Sequence, residues 1–149
     1  MSHPANLADP EFRLSMMRDT VVALRNQGTL WYPLLNVVAT LIDGLASGPK
    51  GGTKAAYVRY INANLPKLAE EVGADLFYKH FRNPTIHPYA LADGYAIGRN
   101  SEMPGRYLSS HHIPRLETSL TVLNIDLLVE EFLSHLDELL QRHSSENAA

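Results

Sequence analysis

The run "LWYPLLNVVATLIDGLA" (30–46) constrains this chain more than any other stretch. Trp31, Leu35, Val38, Ile42 and Leu45 recur every three or four residues, which is the repeat of a helix face, and Leu34 and Leu41 widen the stripe. So broad an apolar face has to be covered on two sides, in a core or at a subunit interface. Asn36, Asp43 and Pro33 interrupt the run, and it is too short to span a bilayer. The spacing predicts a helix from about Leu30 to Ala46, capped by Thr29. Pro33 falls in its first turn, where a missing N–H does little harm.

Further amphipathic segments lie on either side. Asp9 before Pro10 marks a helix start and Gly28 a helix stop, which predicts a helix from Pro10 to Gln27 with Leu14, Met17, Val21 and Leu24 inward. "SGPKGG" (47–52) reads as a connection, after which Thr53 caps a helix to about Asn64. Pro66 opens "PKLAEEVGADLFYKHF", read as one helix with Leu68, Val72, Leu76, Phe77 and Phe81 facing inwards. Asn124 caps a last helix to about Arg142, on which Glu130-Glu131 and Asp137-Glu138 read as the solvated face.

Between these helices the pattern changes. Asp93-Gly94 separates two short β-prone runs in "YALADGYAIG", a hairpin signal. "LETSLTVL" (116–123) alternates Leu116, Thr118, Leu120 and Val122 on one side and reads as a strand, although a helix starting upstream of 120 also fits. "YLSSHHIP" reads as a loop. The predicted fold class is mainly α: one domain of four to five helices, with a small β-hairpin or short sheet near residues 89–122. Residues 1–8 and 144–149 read as frayed tails.

At 149 residues the chain can bury a sizeable core. It has no cysteine, which excludes disulfides, thiolate metal sites and thiol nucleophiles. The opening "MSHPANLADPEF" has neither a basic nor an apolar leader region, so a cytoplasmic protein is expected. The net charge of −3 is the wrong sign for a protein that lives on nucleic acid. Residues 79–115 run against that balance. Lys79, Arg82, Arg99, Arg106 and Arg115 face only Asp93 and Glu102, and His80, His87, His111 and His112 lie in the same segment. Such a concentration suits a phosphate ligand.

Within that segment, "FRNPTIHP" places Arg82 and Asn83 just before one proline and His87 just before a second, four residues on. Asn83 before Pro84 is a helix-start signal, and Pro88 pushes His87 out of helical geometry. An arginine brings a fork of donors that suits phosphate, and a histidine can move a proton near neutral pH. The alternative is structural, with Arg82 on the last carbonyls of the preceding helix, Asn83 as a cap and His87 on backbone. No P-loop, dinucleotide fingerprint or zinc-protease motif is present. Zinc wants three or four ligands, and for the adjacent His111 and His112 only His80 and His87 are obvious partners, so the pair reads as polar surface.

Arg82-Asn83-Pro84-Thr85-Ile86-His87 resembles the R-x4-6-H motif of the HEPN superfamily, in which a polar residue commonly follows the arginine. Arg106 with His111 or His112 matches the bare spacing too, and the Asn after Arg82 singles out the first match. More narrowly, "LFYKHFRNPTIHPYAL" (76–91) resembles a group of uncharacterised bacterial proteins with an FRNP-x-x-H core. The resemblance implies a helical bundle that dimerises and belongs to toxin–antitoxin or defence systems. Its active members cut RNA without metal or cofactor. Carried over, Arg82 would hold the scissile phosphate, Asn83 would orient the site, and His87 would serve as general acid or base across a dimer interface. Lys79, His80, Arg106, His111 and His112 would extend the RNA-binding surface. Inactive members imply the alternative: a non-catalytic module that binds a second copy or an antitoxin-like protein.

Overall fold

A computed structural model describes residues 9–47, 52–82 and 94–148. Asn83, His87 and the upstream run of the expected hairpin lie outside the described residues. Six α-helices and a three-stranded sheet follow in the order α1 (Pro10–Gln27), α2 (Trp31–Ser47), α3 (Lys54–Asn64), α4 (Pro66–Glu71), α5 (Ala74–Phe77), β1 (Tyr95–Gly98), β2 (Leu108–Ile113), β3 (Thr118–Asn124) and α6 (Ile125–Ala148). A π-helical turn, Tyr78–Arg82, extends α5. The described chain is mainly helical, and none of its helices is long and apolar enough to cross a membrane.

Helix α2 occupies the middle and packs against α1, α3, the π-turn and α6. Leu34, Leu35, Val38, Ala39 and Ile42 are buried, while Trp31, Val37, Leu41 and Leu45 pack partly buried around them. Its wide apolar face is thus largely spent inside one protomer. The helix starts one residue later than expected. The Leu30 carbonyl accepts from Leu34 N at 2.9 Å, so Leu30 rather than Thr29 stands at the cap.

Other starts and stops follow local chemistry. Asp9 Oδ1 accepts from Glu11 N at 3.2 Å ahead of Pro10, and Gly28 closes α1 with a positive φ. Thr53 Oγ1 accepts from Ala56 N at 3.1 Å at the start of α3. Asn124 Oδ1 accepts from Leu127 N at 3.1 Å at the start of α6. That last helix runs on to Ala148, beyond Arg142, where the apolar stripe thins and an earlier end was expected.

The single helix expected over 66–81 is broken. Gly73 adopts φ +96, a conformation that costs glycine little and other residues much, and the Leu68 carbonyl closes the turn by accepting from both Val72 N and Gly73 N. Helix α5 then starts at Ala74.

The sheet order is β1-β3-β2. Strand β3 pairs parallel with β1, Tyr95 opposite Thr121 through Gly98 opposite Asn124. It pairs antiparallel with β2, Leu108 opposite Leu123 through Ile113 opposite Thr118. The observed hairpin is therefore β2–β3, turned by Pro114–Leu116 and by Glu117 at φ +48. Two expectations are corrected. "LSSHHI" is a strand, not a loop; Ser110, His111 and His112 are exposed, Ser109 is buried, and the segment carries no apolar alternation. Leu123 is the fully buried apolar residue of β3 and belongs to the core, so the face bearing Thr121 and Leu123 meets the helices, while the face bearing Leu120 and Val122 ends in Asn124, buried against the loop before β2.

Candidate functional site

Arg82 ends the π-turn, a helical form with one extra residue per turn that recurs at functional sites. Phe77 and Phe81 anchor the turn in the core, both fully buried with ring centroids 6.0 Å apart. The two residues between Phe81 and Tyr78 are Lys79, exposed, and His80. The His80 ring stacks on Tyr95 of β1 at 4.1 Å, and burial with the nearby Lys79 charge lowers its pKa.

The Arg82 guanidinium turns towards α2. Its Nη2 donates to Asp43 Oδ2 at 2.7 Å, and both side chains are only 23% exposed. The guanidinium carbon lies 5.1 Å from the Tyr78 ring centre and 5.9 Å from that of Tyr57. Tyr57 is buried, and its hydroxyl donates to the Ala39 carbonyl at 3.1 Å, which fixes the ring. Burial acts to lower the Arg82 pKa, but the hydrogen bond and charge of Asp43 outweigh it and hold the group above its ordinary value. Burial pushes the Tyr57 phenol far up, so it stays neutral beside the cation. On the other side of the carboxylate, a Cβ placed on Gly52 would come within 2.5 Å of Asp43 Oδ1. The Asp43 pocket is closed by backbone as well as by the arginine.

Of the expected site residues, the structure brings Lys79, His80 and Arg82 onto one turn. Asn83 and His87 fall outside the described residues. Arg106, His111 and His112 belong elsewhere. They lie on or just before β2, at the opposite edge of the sheet from β1, about 10 Å away across β3. Arg106, His111 and His112 are exposed, and the two histidines, being consecutive on a strand, point to opposite faces. His111 Nε2 meets Ser109 Oγ at 3.1 Å. Among the described residues no group of three or more His, Cys, Asp or Glu is placed to hold a metal ion.

The loop before β2 is held chiefly by Asn124 and Asp126. Asn124 is fully buried, and its Nδ2 donates to Asn100 Oδ1 at 3.0 Å and to the carbonyls of Arg106 at 3.1 Å and Met103 at 3.4 Å. Asp126 accepts from Arg99 Nε and Asn100 N, and the Arg99 guanidinium lies 3.7 Å from the centre of the Trp31 ring. Arg106 is presented by this structure, and Arg99 is spent in it.

Glu131 corrects another expectation. It is not solvation but a cap from a distance. Leu65 gives α4 no side-chain cap, and Glu131 of α6 accepts from Lys67 N at 2.8 Å and Leu68 N at 2.9 Å. The Tyr107 hydroxyl donates to the same carboxylate at 3.1 Å. These residues wall a cleft of about 710 Å³ between α4 and α6 whose rim carries Glu70, Glu71, Glu130 and Glu138 against Lys67.

Sequence reasoning missed Asp43, Tyr57 and Tyr78 as partners of Arg82. Asp43 had been visible only as an interruption of an apolar run, and 39 residues separate it from the arginine. Comparison with protein-family models, with curated proteins and with solved structures finds no match to this chain.

Proposed function

We propose that this chain is a helical module of HEPN type that works by association, as a homodimer or with an antitoxin-like partner, and that Arg82 is an internal brace, not a phosphate ligand. The observation that carries this reading is the Arg82–Asp43 hydrogen bond at 2.7 Å beneath Tyr78. A phosphate approaching Arg82 has to compete with the Asp43 carboxylate that already holds the guanidinium. Two like charges about 4 Å apart repel by roughly 4 kcal/mol at an effective dielectric of 20. That repulsion offsets the phosphate's own attraction to the guanidinium, and the phosphate would still have to displace a charged hydrogen bond worth about 1.5–3 kcal/mol, so the carboxylate keeps the arginine. The acidic cleft between α4 and α6 adds a field that repels a polyanion.

The residual case for cleavage rests on Lys79, a second cation on the same turn, and on the His80 imidazole beside it. The test is incubation of structured and single-stranded RNA with the purified protein in EDTA, beside Arg82→Ala/His87→Ala shown to be folded, with light scattering for mass. The expected result is no cleavage above buffer for either protein, and a mass above that of one chain. Cleavage that disappears in the variant would restore the ribonuclease reading. A monomer that captures no partner would remove the association reading.

A further inference from the structure

Away from the Arg82 turn, a cavity of about 360 Å³ opens between α1, α2 and the C-terminal half of α6. That is within the size range of small-ligand sites, which combine an apolar lining with a few convergent polar groups. The apolar wall is Leu14 and Met17 of α1, Leu45 of α2 and Leu139 of α6. Arg13, a cation, and His143, a hydrogen-bonding imidazole, line the same space, and among the described residues no carboxylate does. Among the described residues neither has a carboxylate within ion-pair distance. Tyr60 closes the cavity from α3. Its hydroxyl is held by Nε2 of the buried His135, and burial pushes its phenol up to about 12 against the pull of Arg142, so it stands there as a neutral hydrogen-bonding group.

A second observation points the same way. Gly44 lies inside the 17-residue α2 and also lines the cavity. Glycine within a helix costs about 0.5–1 kcal/mol relative to alanine. A close neighbour would explain it, but a Cβ built at Gly44 meets nothing within 4 Å. Packing does not demand the glycine; it leaves the space empty.

We propose that this cavity binds a small amphiphilic carboxylate, its head on Arg13 and His143 and its alkyl or aryl body against Leu14, Met17, Leu45 and Leu139. The missing side chain at Gly44 makes room for that body. This assignment is independent of the reading of Arg82.

The probe is octanoate, titrated by calorimetry into the full-length protein, with octanol and octylamine as uncharged and charge-reversed controls. Saturable heat is expected with octanoate and none with either control. Gly44→Leu is expected to fold with an undiminished melting temperature and to lose octanoate binding. Arg13→Glu, whose substitution lies at the rim, is expected to weaken octanoate at least about tenfold and to admit octylamine. No saturable heat with octanoate, equal binding of octanol, or unchanged octanoate binding in both variants would overturn the proposal.

Discussion

Two arginines of this protein invite comparison. Arg82 stands in the motif that the sequence brings forward, yet its guanidinium is committed to Asp43 and lies beneath the rings of Tyr78 and Tyr57. Arg13 stands in no motif, yet it lines an open cavity with His143 and no carboxylate. The difference teaches that residue type and local spacing name what a side chain can do, whereas the distant partner decides what it does. For Arg82 that partner is on α2; for Arg13 no carboxylate among the described residues lies within ion-pair distance.

The largest expected effect breaks the platform under Arg82. Phe81→Ala removes a fully buried ring stacked on Phe77 and packed edge-to-face with Tyr95, and should cost about 3–5 kcal/mol in urea unfolding. A loss under 1 kcal/mol would mean that the π-turn is not anchored as described. The comparison itself is sharpened by a matched pair. Arg82→Ala strands a part-buried carboxylate and should cost about 1–2 kcal/mol after allowance for solvent screening. Arg13→Ala should change stability by no more than about 0.5 kcal/mol. Equal costs would erase the distinction.

A smaller effect concerns pH. Burial lowers the pKa of His135 in the folded protein, with Glu138 and Glu131 opposing and Arg142 assisting. The unfolded chain then binds the proton more readily, so the contribution of neutral His135 is complete above the ordinary histidine value near 6.5 and declines as pH falls below it. Stability measured by urea between pH 7.5 and 5 should drop. The drop should shrink in His135→Gln, leaving the smaller part owed to His80, whose pKa is also lowered. An unchanged slope in the variant would assign the pH dependence elsewhere.

These contrasts also explain how much could be read in advance. Helices α1 and α3 were legible to the residue because Asp9, Pro10, Gly28 and Thr53 act within one turn of the elements they bound. The break at Gly73 was visible as a letter but not as a break, since the apolar spacing of Leu68, Val72, Leu76 and Phe77 continues across it. Strand β2 gave no signal because its pairing with β3 comes from backbone groups, while Ser110, His111 and His112 are exposed. Glu131 looked like surface because its task is set by α4, more than sixty residues earlier in the chain. At the candidate site the same limit applied: the arginine was legible and its carboxylate was not.

The central claim is that Arg82 and Asp43 form a coupled internal pair, and a double-mutant cycle tests it most directly. Arg82→Ala, Asp43→Ala and the double variant are unfolded in urea beside the parent chain. The account predicts a coupling energy of about 1–2 kcal/mol, the double variant losing far less than the sum of the single losses. A coupling near zero would contradict it and return Arg82 to service for an external anion.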